Sequence, residues 1–433
     1  MEIINSSRSN AGDEFIDVTA FLTIARFTGI QRVVREVLEA ASDFQLVAFD
    51  EEEGCYRQVA GLPKISERAE TPRKSRLRGW ARSSAYLVWS LLRVLSYPLA
   101  ATRTFRKLKN VLIAFYSSTL SPVQIDGFVR GPVCSVGKDA IVWLLDIPKS
   151  EAHFDFLESQ ARNNRFQLGV YVYDLIPVDF PDLLPHVERR SEIESFKRYL
   201  GIALLATRIF CLSKFTLQSL NAYAATTGER MRASPEVLYP PIPLGDFVAL
   251  ARSNGESSSK PRTSKNVLCI APMTKRKNLG TLLRAFQLGI RRGQPFNLRM
   301  VVPILGSGDF WTMGMGGILQ IRFPRKIRIH GPVSELKLLE LFEWCDTVAV
   351  PSIAEGYGLP IIEGIAARKH VVASRASSFV ELANYLPVTL VNPFGADDWL
   401  SALNAPLKDA KRTPNFGLVT TTPMQFVAAL RKK

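Results

Sequence analysis

PSIAEGYGLPIIEGIAARKHVV, residues 351–372, decides the fold. The run TVAVPS that leads into it is short, apolar and β-branched, as a buried strand would be. A Gly-Tyr-Gly-Leu-Pro turn follows, then LPIIEGIAARK with helical spacing, then a second apolar run, HVVASR. Pro360 falls in the first turn of that helix, where its missing N–H is not needed. Strand, turn, helix and strand in this order form a βαβ unit, which implies parallel strands. Two carboxylates flank the turn: Glu355 in the loop and Glu363 one turn into the helix.

The same alternation extends outward. NVLCIAPM, NLRMVVPILG and KIRIHGPV read as strands, separated by LGTLLRAFQLGIRRG, while SELKLLELFEWC and SSFVELANYL read as helices. In the first half FIDVTAFL, AIVWLLDI, FQLGVYVYDLIP and RIFCLS read as strands, each followed by a polar or helical segment. Between them ARSNGESSSKPRTSK is rich in Ser, Lys and Gly, a linker composition. The expected fold class is therefore α/β. It has an N-terminal Rossmann-like domain over 1–250, a linker over 251–264 and a second Rossmann-like domain over 265–433. The two parallel sheets face a central cleft, and the final helix is a candidate to pack back on the first domain. A chain of 433 residues exceeds one comfortable core, consistent with two domains.

Composition narrows the class. The 47% apolar content is that of a globular protein. Five cysteines stand singly, with no CxxC, which argues for a reducing compartment and against a disulfide frame or zinc site. The N-terminus has no basic-then-apolar signal pattern, so secretion is not expected. Between residues 64 and 109 twelve Lys and Arg face two acids, two thirds of the net charge of +15. The apolar part of this stretch, 85–101, sits at the low limit for a bilayer span. Arg93 near its middle costs about 2.5–3.5 kcal/mol there. Leu77, Trp80, Leu87, Leu91 and Leu95 share one helical face, and Trp80, Tyr86, Trp89 and Tyr97 supply interfacial rings. The expectation is a helix lying on an anionic membrane surface. The plainer reading is a core helix with a solvated basic flank. No finger spacing or RNP-like aromatic pattern supports nucleic acid.

In open parallel sheets ligands bind at the carboxyl ends of strands. After NVLCIAPM comes TKRKN, with Lys275, Arg276 and Lys277; after TVAVPS comes IAEGYG and a helix start. Cations facing a helix N-terminus suit a diphosphate. Glu363 could then accept hydrogen bonds from a ribose diol, and Glu355 from hydroxyls of whatever the diphosphate carries. Each feature alone has a bland explanation, since solvent-facing glutamates and charged loops are common. Their occurrence at successive strand ends favours a site.

These residues carry a resemblance. APMTKRKNLGTLLRAF, IHGPVSELKLLELFEWCDTVAVPSIAEGYGLPIIEGIAA and VVASRASSFVELA resemble the retaining GT-B glycosyltransferases of glycosyltransferase group 1 (family 4), over about residues 265–395. FIDVTAFL, RFTGIQRVVREVLEA, VYDLIPVDFPDLLP and IFCLSKFTLQSL resemble the first half of that family in pieces. The resemblance implies that Glu363 binds the nucleotide ribose and that Glu355 contacts the donor sugar. It sets Gly356, Tyr357, Gly358 and Leu359 against sugar and diphosphate. Arg276 and Lys277 would neutralise the diphosphate during catalysis. Gly29 would admit the donor closely, with Thr28 beside it. Tyr173, where many relatives carry histidine, and Asp174 are candidate sugar or acceptor contacts. Ala271, Arg368 and His370 stand where relatives usually have Gly, Gly and Pro. His153, His186 and His330 show no partner acid in the sequence and read as structural.

The implied function is transfer of a sugar from a nucleotide-diphosphate donor to a lipid-linked or polysaccharide acceptor in cell-surface glycan synthesis. It would act on the inner face of the cell membrane, without a metal or other cofactor. RKNL makes GDP-mannose the first candidate donor, with UDP-sugars open. The alternatives are a catalytically silent GT-B scaffold at the membrane, or another nucleotide-sugar enzyme such as an epimerase.

Overall fold

The computed structural model describes residues 14–23, 29–59, 64–65, 125–126, 130–184, 189–254, 264–302, 310–405 and 414–432. The stretch 66–124, which holds nearly all of the basic segment, lies outside the described residues, as do Thr28 and His186. Among the described residues no helix is long and apolar enough to cross a membrane.

The first sheet uses β1 (Glu14–Asp17), β2 (Gln45–Asp50) and β3 (Cys55–Val59). The ribbon β4 (Lys64–Ile65) and β5 (Ile125–Asp126) pairs separately and antiparallel. Then β6 (Arg130–Val133), β7 (Ile141–Leu144), β8 (Gln167–Val172), β9 (Arg208–Cys211) and β10 (Glu236–Val237) complete the order β10-β9-β8-β7-β1-β2-β3-β6. The strands from β10 to β2 run parallel; β3 and β6 add an antiparallel edge. FIDVTAFL is not one strand. The Asp17 carboxylate accepts hydrogen bonds from Thr19 N (2.8 Å) and Thr19 Oγ1 (2.5 Å). That local turn ends β1 and starts the helix Thr19–Thr23.

The second sheet holds β11 (Lys265–Ile270), β12 (Phe296–Val301), β13 (Ile327–His330), β14 (Thr347–Val350), β15 (His370–Ser374) and β16 (Val388–Val391), all parallel, in the order β13-β12-β11-β14-β15-β16. Side-chain alternation explains why both faces are covered. Val267 and Cys269 join one core with the helices Leu279–Arg291, Phe310–Arg322 and Ala396–Asn404. Leu268, Val348 and Val350 join the other, with Glu335–Trp344, Leu359–Ala366 and Ser377–Ala383. From β11 the chain winds outward through β12 and β13, then restarts on the other side with β14. The helices that follow β11 and β14 therefore lie on opposite faces of the sheet, and the carboxyl ends of these two strands mark the crevice where open parallel sheets bind ligands.

That second core continues into the first sheet through Trp143, Tyr171 and Phe210. The last helix, Pro423–Arg431, begins with a capping box between Thr422 and Gln425. It lies on the first domain: Phe426 meets Tyr171 edge-on, Arg208 donates to Leu430 O (2.9 Å), and Arg431 pairs with Glu14 (2.9 Å).

Candidate functional site

The two loops at the crevice are tied to each other. After β11 a single 3₁₀ turn, Lys275–Lys277, is stopped by Asn278, whose left-handed φ of 49° redirects the chain into the helix Leu279–Arg291. The Asn278 side chain fixes this bend by donating to Pro393 O (2.6 Å) and accepting from Thr281 Oγ1 (2.8 Å). Ile353 N donates to Arg276 O (2.9 Å), and Arg276 Nη1 donates to Ala354 O (3.1 Å). Both cations then converge on one carboxylate. Arg276 Nη1 meets Glu355 Oε2 at 2.5 Å, and Lys277 Nζ is bonded to Oε1. Burial would raise the Glu355 pKa, but the two cations outweigh it and hold it at about 2. At Lys277 the balance differs: burial outweighs Glu355 and lowers its pKa. Glu355, read from the sequence only as an acceptor for donor hydroxyls, thus also pairs directly with both cations.

The first domain completes this group. Gly356 lies so close to it that a Cβ there would sit 2.4 Å from Tyr173 O and 3.0 Å from Asp174 Cβ. Ser213 Oγ donates to Gly356 O (2.9 Å) and Thr216 Oγ1 to Tyr173 O (3.0 Å), pinning the two backbones together. Asp174 is half-buried beside the cluster and accepts from Ile176 N (3.1 Å). Its pKa is raised, mainly by burial, against the pull of Arg276. Two acids and two cations from both domains thus meet at the carboxyl ends of β11 and β14.

One expected contact is corrected, and a second is narrowed to its backbone. The Tyr173 side chain turns into the core, where its hydroxyl donates to Leu145 O (2.8 Å), so it is not free for a sugar. The Tyr357 ring is buried against Tyr239, and its carbonyl accepts from Ser378 Oγ (2.6 Å). Alternation around the loop sends both rings inward and leaves their backbones, with Gly356 and Asp174, at the crevice. The histidine reading is also corrected: His153 does have a partner acid, with Nε2 2.9 Å from the buried Asp17. His330, at the end of β13, has its pKa pulled down to about 4 by burial and by Arg299, Arg328 and Lys337.

The helix Leu359–Ala366 starts at Gly358, whose φ of 131° and close approach to Phe379 (2.8 Å from an added Cβ) require glycine. In that first turn Pro360 has no N–H and Ile361 N turns back to Gly358 O (3.0 Å), so the Leu359 N–H is the one without an intrahelical acceptor, at the positive end of the helix dipole. Leu359 packs against Gly29, the first residue of the helix Gly29–Ala40; a Cβ on Gly29 would stand 3.0 Å from Leu359 Cδ1. Two helix N-termini from the two domains therefore meet beside the crevice. Glu363 is 2% exposed and accepts from Arg32 Nη1 at 2.7 Å. Sequence reasoning missed Arg32. Its signal was its place one turn after Gly29 in TGIQRVV. It also missed Glu381, which accepts from Lys214 N, Phe215 N (both 3.2 Å) and Tyr239 Oη (2.7 Å), capping a first-domain helix from the second domain.

Residues 264–409, the sheet that carries these loops, match the family model of the glycosyl transferases group 1. That match makes about a third of the chain similar to this family. Among curated relatives, O-antigen chain mannosyltransferase B of Escherichia coli is 36% identical over 118 residues, 27% of this chain and 30% of that protein. D-inositol 3-phosphate glycosyltransferase of Corynebacterium aurimucosum is 28% identical over 160 residues, 36% of this chain and 38% of that protein. The chain thus spans about a third of the length of the curated relatives it matches. The fold is shared over the whole length with the glycosyltransferases of GT-B architecture. An alpha,alpha-trehalose-phosphate synthase from Burkholderia xenovorans superposes with a TM-score of 0.57 at 15% identity, covering 97% of this chain and 99% of that one. HepE of Anabaena, in complex with UDP and glucose, gives 0.52 at 14% identity, covering 97% and 94%. The GT-B expectation holds.

The departures from the family pattern also acquire physical readings. Arg368, where relatives usually have Gly, has a left-handed φ of 53° just past the helix Leu359–Ala366. His370, where they usually have Pro, donates its N–H to Asp346 O (3.1 Å) and reaches Thr389 Oγ1 through Nε2 (3.0 Å), anchoring the start of β15.

Proposed function

We propose that this protein is a retaining glycosyltransferase that moves a sugar from a nucleoside-diphosphate donor to a lipid-linked or polysaccharide acceptor in cell-surface glycan synthesis. The observation that carries the reading is the convergence of Arg276 and Lys277 on Glu355 beside the N-terminus of Leu359–Ala366. Glu355 keeps two partly buried cations compensated and aimed. A diphosphate entering between the cations and the helix N-terminus takes up their remaining N–H groups. Preorganised positive charge of this kind stabilises charge that develops on a leaving group.

In the reaction the bond between the sugar anomeric carbon and the diphosphate oxygen breaks, and its electron pair stays on the diphosphate. The acceptor hydroxyl attacks the same face of the anomeric carbon and gives its proton to the leaving phosphate oxygen. The glycoside and the nucleoside diphosphate are the products. Arg276 and Lys277 offset the charge gained by the leaving group, and no metal or other cofactor is called for. Glu363 accepts from the ribose, Glu355 and Asp174 border the sugar, and Gly356, Gly358, Leu359 and Gly29 let the backbone approach closely.

GDP-mannose is the first donor to try, on the RKNL stretch and the mannosyltransferase relative. Residues 64–109 would hold the enzyme on anionic lipid at the inner face of the cell membrane, where a lipid-linked acceptor is presented. The test is release of nucleoside diphosphate from a donor panel in the presence of membrane lipid extract. Wild type should release it from one donor, and Lys277→Ala should be slower by about 100-fold, the scale of losing one preorganised charge contact. No release from any donor by folded protein would refute the reading.

A further inference from the structure

Arg32 and Glu363 are 331 positions apart and belong to helices on different sheets, yet they form a 2.7 Å ion pair. The Glu363 side chain is 3% exposed and that of Arg32 is 30% exposed. The contact runs from Nη1 to Oε1, and among the described residues Oε2 has no recorded partner. A carboxylate offers two oxygens with about four acceptor directions, so this pairing leaves half its capacity unused. Burial would lower the Arg32 pKa, but Glu363, with Glu335 and Glu36 adding, raises it instead, so the guanidinium stays charged. Beside it Leu359 lies close against Gly29, so the two helix starts also touch there. The first-domain helix cannot shift without carrying Arg32 away from Glu363.

We propose that Arg32 is a positioning residue for the donor: it fixes Glu363 through Oε1 so that Oε2 accepts from the ribose cis-diol. This rests on the donor reading given above and adds a consequence to it. A second-domain residue that grips the nucleotide is set by a first-domain side chain. Nucleotide affinity and docking of the two domains are therefore linked, each favouring the other. The opposite arrangement, in which Arg32 merely occupies Glu363 until a ribose displaces it, predicts effects of opposite sign.

The experiment titrates GDP and 2′-deoxy-GDP, and UDP and 2′-deoxy-UDP, by calorimetry. The full-length proteins are wild type, Arg32→Gln, Arg32→Lys and Glu363→Ala, with a melting temperature recorded for each. Wild type should prefer the ribose form of its nucleotide by about 10-fold, the scale of one hydrogen bond to a charged group. Glu363→Ala should abolish that preference. Arg32→Gln should remove most of it by weakening the ribose form while the deoxy form is little changed, and Arg32→Lys should restore part. Tighter binding by Arg32→Gln, or an unchanged ribose preference, would overturn the proposal. So would equal weakening of both forms alongside a fall in melting temperature, which is what a merely structural role gives. Binding that is lost in Glu363→Ala but unaffected in Arg32→Gln sinks the role of Arg32 alone. Failure of wild type to bind any nucleoside diphosphate sinks the donor reading and this inference with it.

Discussion

Replacing Glu355 by Gln keeps its shape and removes its charge, leaving Arg276 and Lys277 facing each other without compensation. A carboxyl whose pKa falls from 4.5 to about 2 on folding contributes about 3 kcal/mol at neutral pH. Breaking a buried pair on one side costs about 3–5 kcal/mol. Lys277 can relieve part of that loss by shedding its proton, since burial already lowers its pKa, so the lower end applies. With an m value of about 3 kcal/mol/M in urea, the midpoint should fall by about 1 M at pH 7. The sign of the pH dependence follows from a depressed folded pKa. The contribution of Glu355 is full above its ordinary pKa of 4.5 and drains away as pH falls toward 2, with roughly half remaining at pH 3. Urea melts of both proteins at pH 7 and at successively lower pH should therefore converge on the acid side. A variant within about 0.2 M of wild type at pH 7, or a gap that does not narrow on acidification, would refute the reasoning.

Three further outcomes follow from the same geometry. Gly356→Ala puts a Cβ 2.4 Å from Tyr173 O, so it should push the second-domain loop off the first domain and weaken nucleotide binding by about 10-fold or more; unchanged affinity in calorimetry would contradict that contact. Asp174→Asn should leave stability at pH 7 unchanged or higher, because a carboxyl whose pKa is raised by folding costs stability once pH rises through that pKa; a clear loss in a urea melt would show that its attraction to Arg276 dominates. Arg368→Gly relieves a left-handed residue and should add about 0.5–1 kcal/mol after the entropy cost of glycine, read as a higher urea midpoint, whereas a lower one would point to an unseen role for the arginine.

The second sheet was legible because each buried strand is a short apolar run and each helix has its own 3.6-residue rhythm. Glycine and proline mark the one turn that matters. Which residues leave the crevice loops toward the ligand was less legible. Tyr173 and Tyr357 sit beside site residues in sequence, but strand and loop alternation sends their rings into the core. The pairings of Arg32 with Glu363 and of Glu381 with the start of Lys214–Thr227 depend on how the two sheets dock. No local pattern encodes that docking. The Glu355 cluster stood between these cases: the residues were visible, while their direct contact was not. Two loops that leave neighbouring strands meet only once the order β12-β11-β14 is set.

The central claim, that the crevice binds a nucleoside-diphosphate sugar through this cluster and Glu363, is tested most directly by calorimetry. GDP-mannose, UDP-glucose, UDP-galactose and UDP-N-acetylglucosamine are titrated into wild type and Glu363→Ala, with no metal added. Selective binding of one donor by wild type, weakened at least about 10-fold in the variant, is the predicted result. A folded wild type that binds none of them, or a variant that binds as well as wild type, would contradict the account.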